Sequence, residues 1–189
     1  MEQLSNLIEA CKRNERKAQY ALYDLFFQPL MSIARKYKNN NDDAAALVNE
    51  AFFKAFTQLD KYKSEVPFEY WIKRITINTI IDDFRKNKKI KEFEAHIDDL
   101  SLKSTGSISQ EVYNSAEKDL QANDILKLIE SLDDHERIVF NLFEIEGMRH
   151  EEIAKHLMVS ERTSKRYLNQ ARETLKDKVT KLFTTAKIY

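Results

Sequence analysis

Between Phe68 and Lys89 the sequence reads FEYWIKRITINTIIDDFRKNKK, and it carries the single tryptophan of the 189-residue chain. At about 100° per helical residue, Trp71, Arg74, Asn78 and Arg85 project within roughly 60° of one another. An aromatic plate, two guanidinium groups and a carboxamide on one strip have the chemistry of nucleic-acid recognition. The ring can stack on an unpaired base, the amide can read a base edge, and the cations, with Lys86 beyond them, can hold phosphates. The apolar residues form two faces: Trp71, Ile72 and Ile75 share one side of the first half, while Ile77, Ile80, Ile81 and Phe84 lie on roughly the opposite side of the second. The helix is therefore expected to be buried on different sides at its two ends.

A second constellation lies near the C-terminus, in SLDDHERIVFNLFEIEGMRHEEIAKHLMVSERTSKRYLNQARETL. Ile138, Val139, Leu142 and Phe143 give one apolar face, and Gly147 suits the end of that helix. HEEIAKHL predicts a short amphipathic helix carrying Ile153, Ala154 and Leu157. MVS predicts a turn, with Ser160 as the N-cap of a longer basic helix. Short helix, tight turn and long helix make a helix-turn-helix. On the second helix Leu168, Ala171 and Leu175 face inward, with Ser164 and part of Tyr167. Arg162, Lys165, Arg166, Asn169, Arg172 and Lys176 cover roughly 120° of the other side. That face suits a major groove, with long donors for guanine edges and phosphates.

The elements that position these residues read as helices throughout. Two glycines and two prolines leave little turn chemistry for hairpins or phosphate loops. A first helix is expected over 4–20, with Leu4, Leu7, Ile8 and Cys11 as its apolar edge. A second is expected from about Ala18 to Tyr37, kinked or interrupted at Pro29. Asp42 or Asp43 can cap a third, AAALVNEAFFKAFTQLDKY. The polar, acidic, Ser-rich stretch HIDDLSLKSTGSISQE reads as a linker, and periodicity returns near Val112–Ile129. The fold class is all-α: two helical domains, 1–92 and 121–189, joined by a flexible acidic linker over 93–120.

The formal net charge is zero, yet its distribution favours a polyanion. Nine Lys/Arg face four Asp/Glu between Lys61 and Lys91, and seven face three between Ser160 and Lys181. Between them, from Glu92 to Asp119, seven acids outweigh two lysines. Each basic patch thus coincides with a motif helix. No apolar run approaches the ~20 residues of a spanning helix. The amphipathic, charged N-terminus lacks a signal-peptide core, and one cysteine excludes an intramolecular disulfide, so a cytoplasmic location is expected. No nucleophile–base pair, metal set or phosphate loop is visible, so neither an enzyme nor a bound cofactor is expected. Asp82 and Asp83 point about 100° apart, unlike a metal pair. His96, His135, His150 and His156 lack zinc-like spacing and suit surface or capping roles. Cys11 reads as a packed or surface thiol.

Taken together, these motifs resemble an extracytoplasmic-function-type sigma factor of the sigma-70 family over nearly the whole chain. DDAAALVNEAFFKAF looks like the helix that docks on the polymerase clamp, which would give Asp43, Asn49, Glu50, Phe53 and Phe56 a polymerase-binding role. FEYWIKRITINTIIDDFRK looks like the –10 segment, where Trp71, Arg74 and Asn78 match the family's W…R…N pattern and Asn78 would hold a flipped base. The preceding loop, KYKSEVPF, would set –10 preference. The C-terminal motif looks like the –35 domain, with Lys165, Arg166, Asn169 and Arg172 at recognition positions. The chain departs from the family at Ala45, Ala46 and Asn49, where acids and Gln are usual. It departs again at Ser164 for Val, Gln170 for Arg and Met158 for a turn Gly. The resemblance implies core RNA polymerase (clamp and flap regions), promoter DNA and an anti-sigma factor as partners. The competing reading is a stand-alone helix-turn-helix regulator whose N-terminal domain binds a ligand or dimerises.

Overall fold

In the computed structural model the backbone is described for residues 2–98 and 117–186, and the side chains for 3–88 and 124–180. The chain divides into two compact units, Met1–Asp83 and Phe84–Tyr189. The described residues are helical in both, without a strand.

In the first unit, α1 (Glu2–Lys12) ends where Asn14 turns to φ 60°, a conformation asparagine tolerates better than most residues. The single helix expected over 4–20 is thus two, and α2 starts at Arg16 and runs to Ala34. Leu22, Phe26, Leu30 and Ala34 repeat every four residues along α2 and are all buried. Pro29 does not interrupt it. Pro29 and Leu25, the residue whose carbonyl loses its helical donor, are both exposed, so solvent can satisfy that oxygen. α3 spans Asn41–Thr57. Its cap is Asn40 rather than Asp42 or Asp43: the Asn40 Oδ1 accepts from the Asp43 N–H at 2.7 Å. Small residues at Ala44, Ala51 and Ala55 interleave with Leu47, Val48 and Phe52 on the buried face of α3. A 3-10 turn at Leu59–Lys61 leads through the loop to α4, which spans Phe68–Asp98. Ile8, Cys11, Leu22, Phe26, Leu30, Val48, Phe52, Phe68 and Ile72 form one core. Burial raises the pKa of the Cys11 thiol, with the Glu15 carboxylate adding to it, so Cys11 is a packed thiol.

α4 passes the expected domain end at 92, so residues 93–98 of the expected linker are helical. α5 starts at Glu117, and residues 99–116 of that linker lie outside the described residues.

The second unit comprises α5 (Glu117–Glu130), α6 (Asp134–Phe140), a π turn (Asn141–Ile145), α7 (His150–Leu157) and α8 (Glu161–Ala186). Asp133 caps α6 by accepting from the His135 N–H at 2.9 Å. Arg137 is buried, and it donates to the Glu130 carbonyl at 2.7 Å and to Asp134 Oδ1 at 2.6 Å. It closes the α5–α6 corner by satisfying a helix-end carbonyl that burial would otherwise orphan. The widened turn, closed by the Glu146 N–H donating to the Asn141 carbonyl at 3.0 Å, ends at Gly147 with φ 70°. Ile138, Val139, Leu142, Ile153, Leu157, Leu168 and Ala171 are buried together with Ile129 and Leu132. α7 and the start of α8 fall where the sequence places them, and the Ser160 Oγ accepts from the Thr163 N–H at 3.0 Å. Met158 takes the left-handed turn position, φ 55°, a conformation that glycine adopts more readily.

Candidate nucleic-acid interface

Between Trp71 and Ile81 the α4 strip is a slit in a largely buried stretch of helix. Ile72, Thr76, Ile77, Thr79, Ile80 and Ile81 are all at most 5% exposed, whereas Arg74 and Asn78 are exposed. Glu69 and Tyr70 are exposed on sides that Ile80 and Ile77 bury one turn or more later, so the helix does change its buried side along its length. Two threonines on the buried face went unforeseen. Each satisfies its hydroxyl by donating to the carbonyl four residues back, Thr76 to Ile72 at 3.0 Å and Thr79 to Ile75 at 2.9 Å. Trp71 is half-buried and packed against the core, its ring 5.3 Å from Tyr62 and 5.4 Å from Phe68. It is a wall of the slit rather than a free plate. Farther along, Arg85 is half-buried and Lys86 exposed.

Tyr62 is a residue that sequence reasoning missed. Its hydroxyl donates to the Val66 carbonyl at 2.8 Å, and its ring packs edge-on to Phe68. This pins the loop before α4 to the aromatic cluster beneath the slit. Asp82 and Asp83 also gain a role. Lys38 donates to Asp83 at 2.6 Å and Lys54 to Asp82 at 3.3 Å, so both acids anchor α4 within the first unit. Burial works against the Lys54 ammonium, but its bonds to Glu50 and Asp82 outweigh that and raise its pKa.

On α3, Asp43 is exposed and reciprocates the Asn40 cap, its Oδ2 accepting at 2.9 Å. Asn49 is exposed, and its Oδ1 accepts from the Tyr23 hydroxyl at 2.9 Å. Glu50 is paired with Lys54 at 3.0 Å. Phe53 is 69% exposed, while Phe56 is half-buried and stacked on Phe52. Phe53 is the exposed large apolar side chain of α3, one turn from Glu50 of the Glu50–Lys54 pair.

In the second unit Arg162, Lys165, Arg166, Asn169, Arg172 and Lys176 are all exposed on α8, while Ser164, Leu168 and Ala171 are buried beneath them. The six share a face, but their surroundings differ. Lys165 pairs loosely with Glu161 at 3.5 Å. The Arg166 guanidinium lies 5.2 Å from the Tyr167 ring centroid. Arg172 is bound by Glu144, 28 residues away, through Nε at 2.9 Å and Nη2 at 2.6 Å. His150, expected at a surface or cap, ties α7 to α8. Its Nδ1 lies 3.0 Å from the buried Ser164 Oγ, and its ring stacks on Phe143 at 4.5 Å. Burial lowers its pKa, as do the nearby Lys165 and Arg172 charges, against a smaller opposing pull from Glu161. No described helix is long and apolar enough to cross a membrane.

The chain as a whole matches a known family. Residues 1–181 match the family model described as ECF sigma factor. The chain is similar to the ECF RNA polymerase sigma-E factor of Escherichia coli K12, 26% identical over 187 residues that cover 94% of this chain and 96% of that one. It is also similar to the ECF RNA polymerase sigma factor SigE of Mycolicibacterium smegmatis, 29% identical over 152 residues, covering 79% of this chain and 56% of the relative. The fold resembles that of the Bartonella quintana sigma factor RpoE, solved in complex with the anti-sigma factor NepR. There the TM-score is 0.51 at 19% identity, covering 85% of this chain and 96% of that one. Because the family match includes the N-terminal unit as well as the helix-turn-helix, the stand-alone regulator gives way: the chain belongs to the ECF sigma factor family, the promoter-specificity subunits of RNA polymerase.

Proposed function

We propose that the two sites divide the promoter between them. Residues 1–92 bind core polymerase and the –10 element, residues 121–189 bind the –35 element, and 93–120 connect them. In the first, Asn78 and Arg74 catch a –10 base as it leaves the duplex, with Trp71 as the wall behind it and Arg85 and Lys86 on the flanking phosphates. Paired bases cannot reach such a slit, so capture repays part of the cost of strand opening. In the second, Arg162, Lys165, Arg166 and Asn169 enter the major groove at the –35 element. Asp43, Asn49, Glu50 and Phe53 of α3 dock on the polymerase clamp, and the second unit meets the flap. An anti-sigma factor covers these surfaces when transcription is not required, and the protein acts in the cytoplasm.

The observation that carries the –10 assignment is the exposure of Arg74 and Asn78 within Trp71–Ile81, a stretch whose other residues are buried or half-buried. A solvated helix rim would not need so narrow an opening. The test compares permanganate reactivity of –10 thymines in polymerase complexes with wild-type and Asn78→Ala protein. The variant is expected to lose reactivity on duplex promoters and to regain part of its transcription on a template already mismatched at –10. Equal opening by variant and wild type would remove the base-capture role.

A further inference from the structure

The exposed cations of α8 are not equivalent, and the exception is Arg172. Two of its N–H groups converge on the same Glu144 oxygen, at 2.9 and 2.6 Å. Most surface ion pairs join flexible side chains that wave in solvent. This one is built in from both ends. The Arg172 guanidinium lies 5.8 Å from the Phe143 ring centroid, and that ring stacks on His150, which is held in turn by the buried Ser164. Glu144 sits in the π turn, whose backbone is closed by Glu146 N–H to the Asn141 carbonyl and Met148 N–H to the Leu142 carbonyl. The side chains of Arg172 and Glu144 are still 52% and 34% exposed, so DNA can reach the pair.

We infer that Glu144 is a specificity-determining residue for –35 recognition, acting by holding Arg172. This rests on the proposed reading of α8. Non-specific affinity for DNA counts cations that are free to sit opposite phosphates, each adding about 0.9 to the slope of log affinity against log salt. A carboxylate fixed on the guanidinium cancels that charge locally and repels a phosphate. It does not abolish base reading. A guanidinium has five N–H donors, and Glu144 takes two, leaving the rest in a fixed fork suited to a bidentate guanine contact. The pair thus lowers attraction to any duplex while keeping a directional contact for the right one. Glu144 is a positioning residue; Arg172 is the group that would touch DNA.

The test uses holoenzyme reconstituted with wild-type, Glu144→Gln, Arg172→Ala or the double variant. Each binds promoter fragments with an intact or a scrambled –35 element across a salt series. Glu144→Gln keeps the shape and removes the charge. It is expected to tighten binding to the scrambled fragment more than to the intact one, so that the specificity ratio falls severalfold. Its salt slope on the scrambled fragment should steepen by about 0.9, one phosphate's worth. The double variant should match Arg172→Ala alone, because Glu144 acts only through that residue. An unchanged ratio and slope in Glu144→Gln, or equal weakening on both fragments, overturns the inference while leaving the α8 reading intact. A wild-type holoenzyme that does not distinguish the fragments overturns both.

Discussion

The two helices proposed to face DNA solve opposite packing problems. Between Trp71 and Ile81, α4 buries Ile72, Thr76, Ile77, Thr79, Ile80 and Ile81 and leaves a narrow opening at Arg74 and Asn78. α8 buries one stripe, Ser164, Leu168 and Ala171, and gives a whole face to long polar side chains. The first arrangement suits a rigid receptor for one object. The second suits a surface read by several side chains at once. The difference has an energetic consequence. In α4 the site and the core share residues, so function and stability are coupled. In α8 they are separated by the thickness of the helix.

The largest expected effect comes from breaking the shared wall. Trp71 contacts Tyr62, Phe68 and the core around Ile72. Trp71→Ala should destabilise the first unit by about 2–4 kcal/mol, below the full cost of a buried aromatic because the ring is half-exposed. Chemical denaturation of the full chain, followed in the first unit, measures this. A change within 0.5 kcal/mol, roughly the range of surface substitutions, would mean that the ring is not part of the core and that the coupling is absent.

On α8 the matching experiment should separate binding from folding. Replacing Lys165 and Arg166 with Ala removes two exposed side chains and no core contact beyond the Tyr167 ring. Promoter binding by holoenzyme should weaken by about 1–3 kcal/mol per lost bidentate contact, with thermal stability and core polymerase binding retained. An unchanged –35 footprint would contradict the assignment. Loss of footprint together with loss of thermal stability would instead show that α8 couples reading to folding as α4 does.

What the sequence made legible follows the same division. Local spacing placed α7, the start of α8, the Ser160 cap and the outward basic face, because each rests on residues within a turn or two. The α4 strip was legible as an angle but not as a slit. Thr76 and Thr79 count as polar in a pattern, yet a helix lets them bury by bonding to their own backbone. Pro29 reads as a breaker, but a proline whose orphaned carbonyl faces solvent costs the helix less than one in a core. Asn40 outcompeted Asp42 and Asp43 as a cap through the register of the first turn, which composition does not specify. The pairs Arg172–Glu144, Tyr62–Val66 and His150–Ser164 span from 4 to 28 residues. They form only once loops and helices are placed, and no periodicity announces them.

The smallest expected effect tests how tightly the α8 scaffold is joined beneath its reading face. Ser164 is fully buried, and His150 supplies the hydrogen-bond partner its hydroxyl requires. Burial, with Lys165 and Arg172 nearby, lowers the pKa of His150 below its ordinary 6.5, despite Glu161. The unfolded chain therefore takes up this proton at a higher pH than the folded one. Above about pH 6.5 both forms are neutral and the residue adds no pH dependence. As pH falls below 6.5 the unfolded state gains the proton first, so stability is lost progressively until the folded histidine also protonates. His150→Asn keeps a polar group near the Nδ1 position and removes the titration. The variant should show a flatter decline in unfolding midpoint between pH 7.5 and 5.5 than wild type, the difference being a modest part of the total because other groups titrate there too. Superimposable profiles for the two proteins would show that the His150–Ser164 join does not depend on a neutral imidazole.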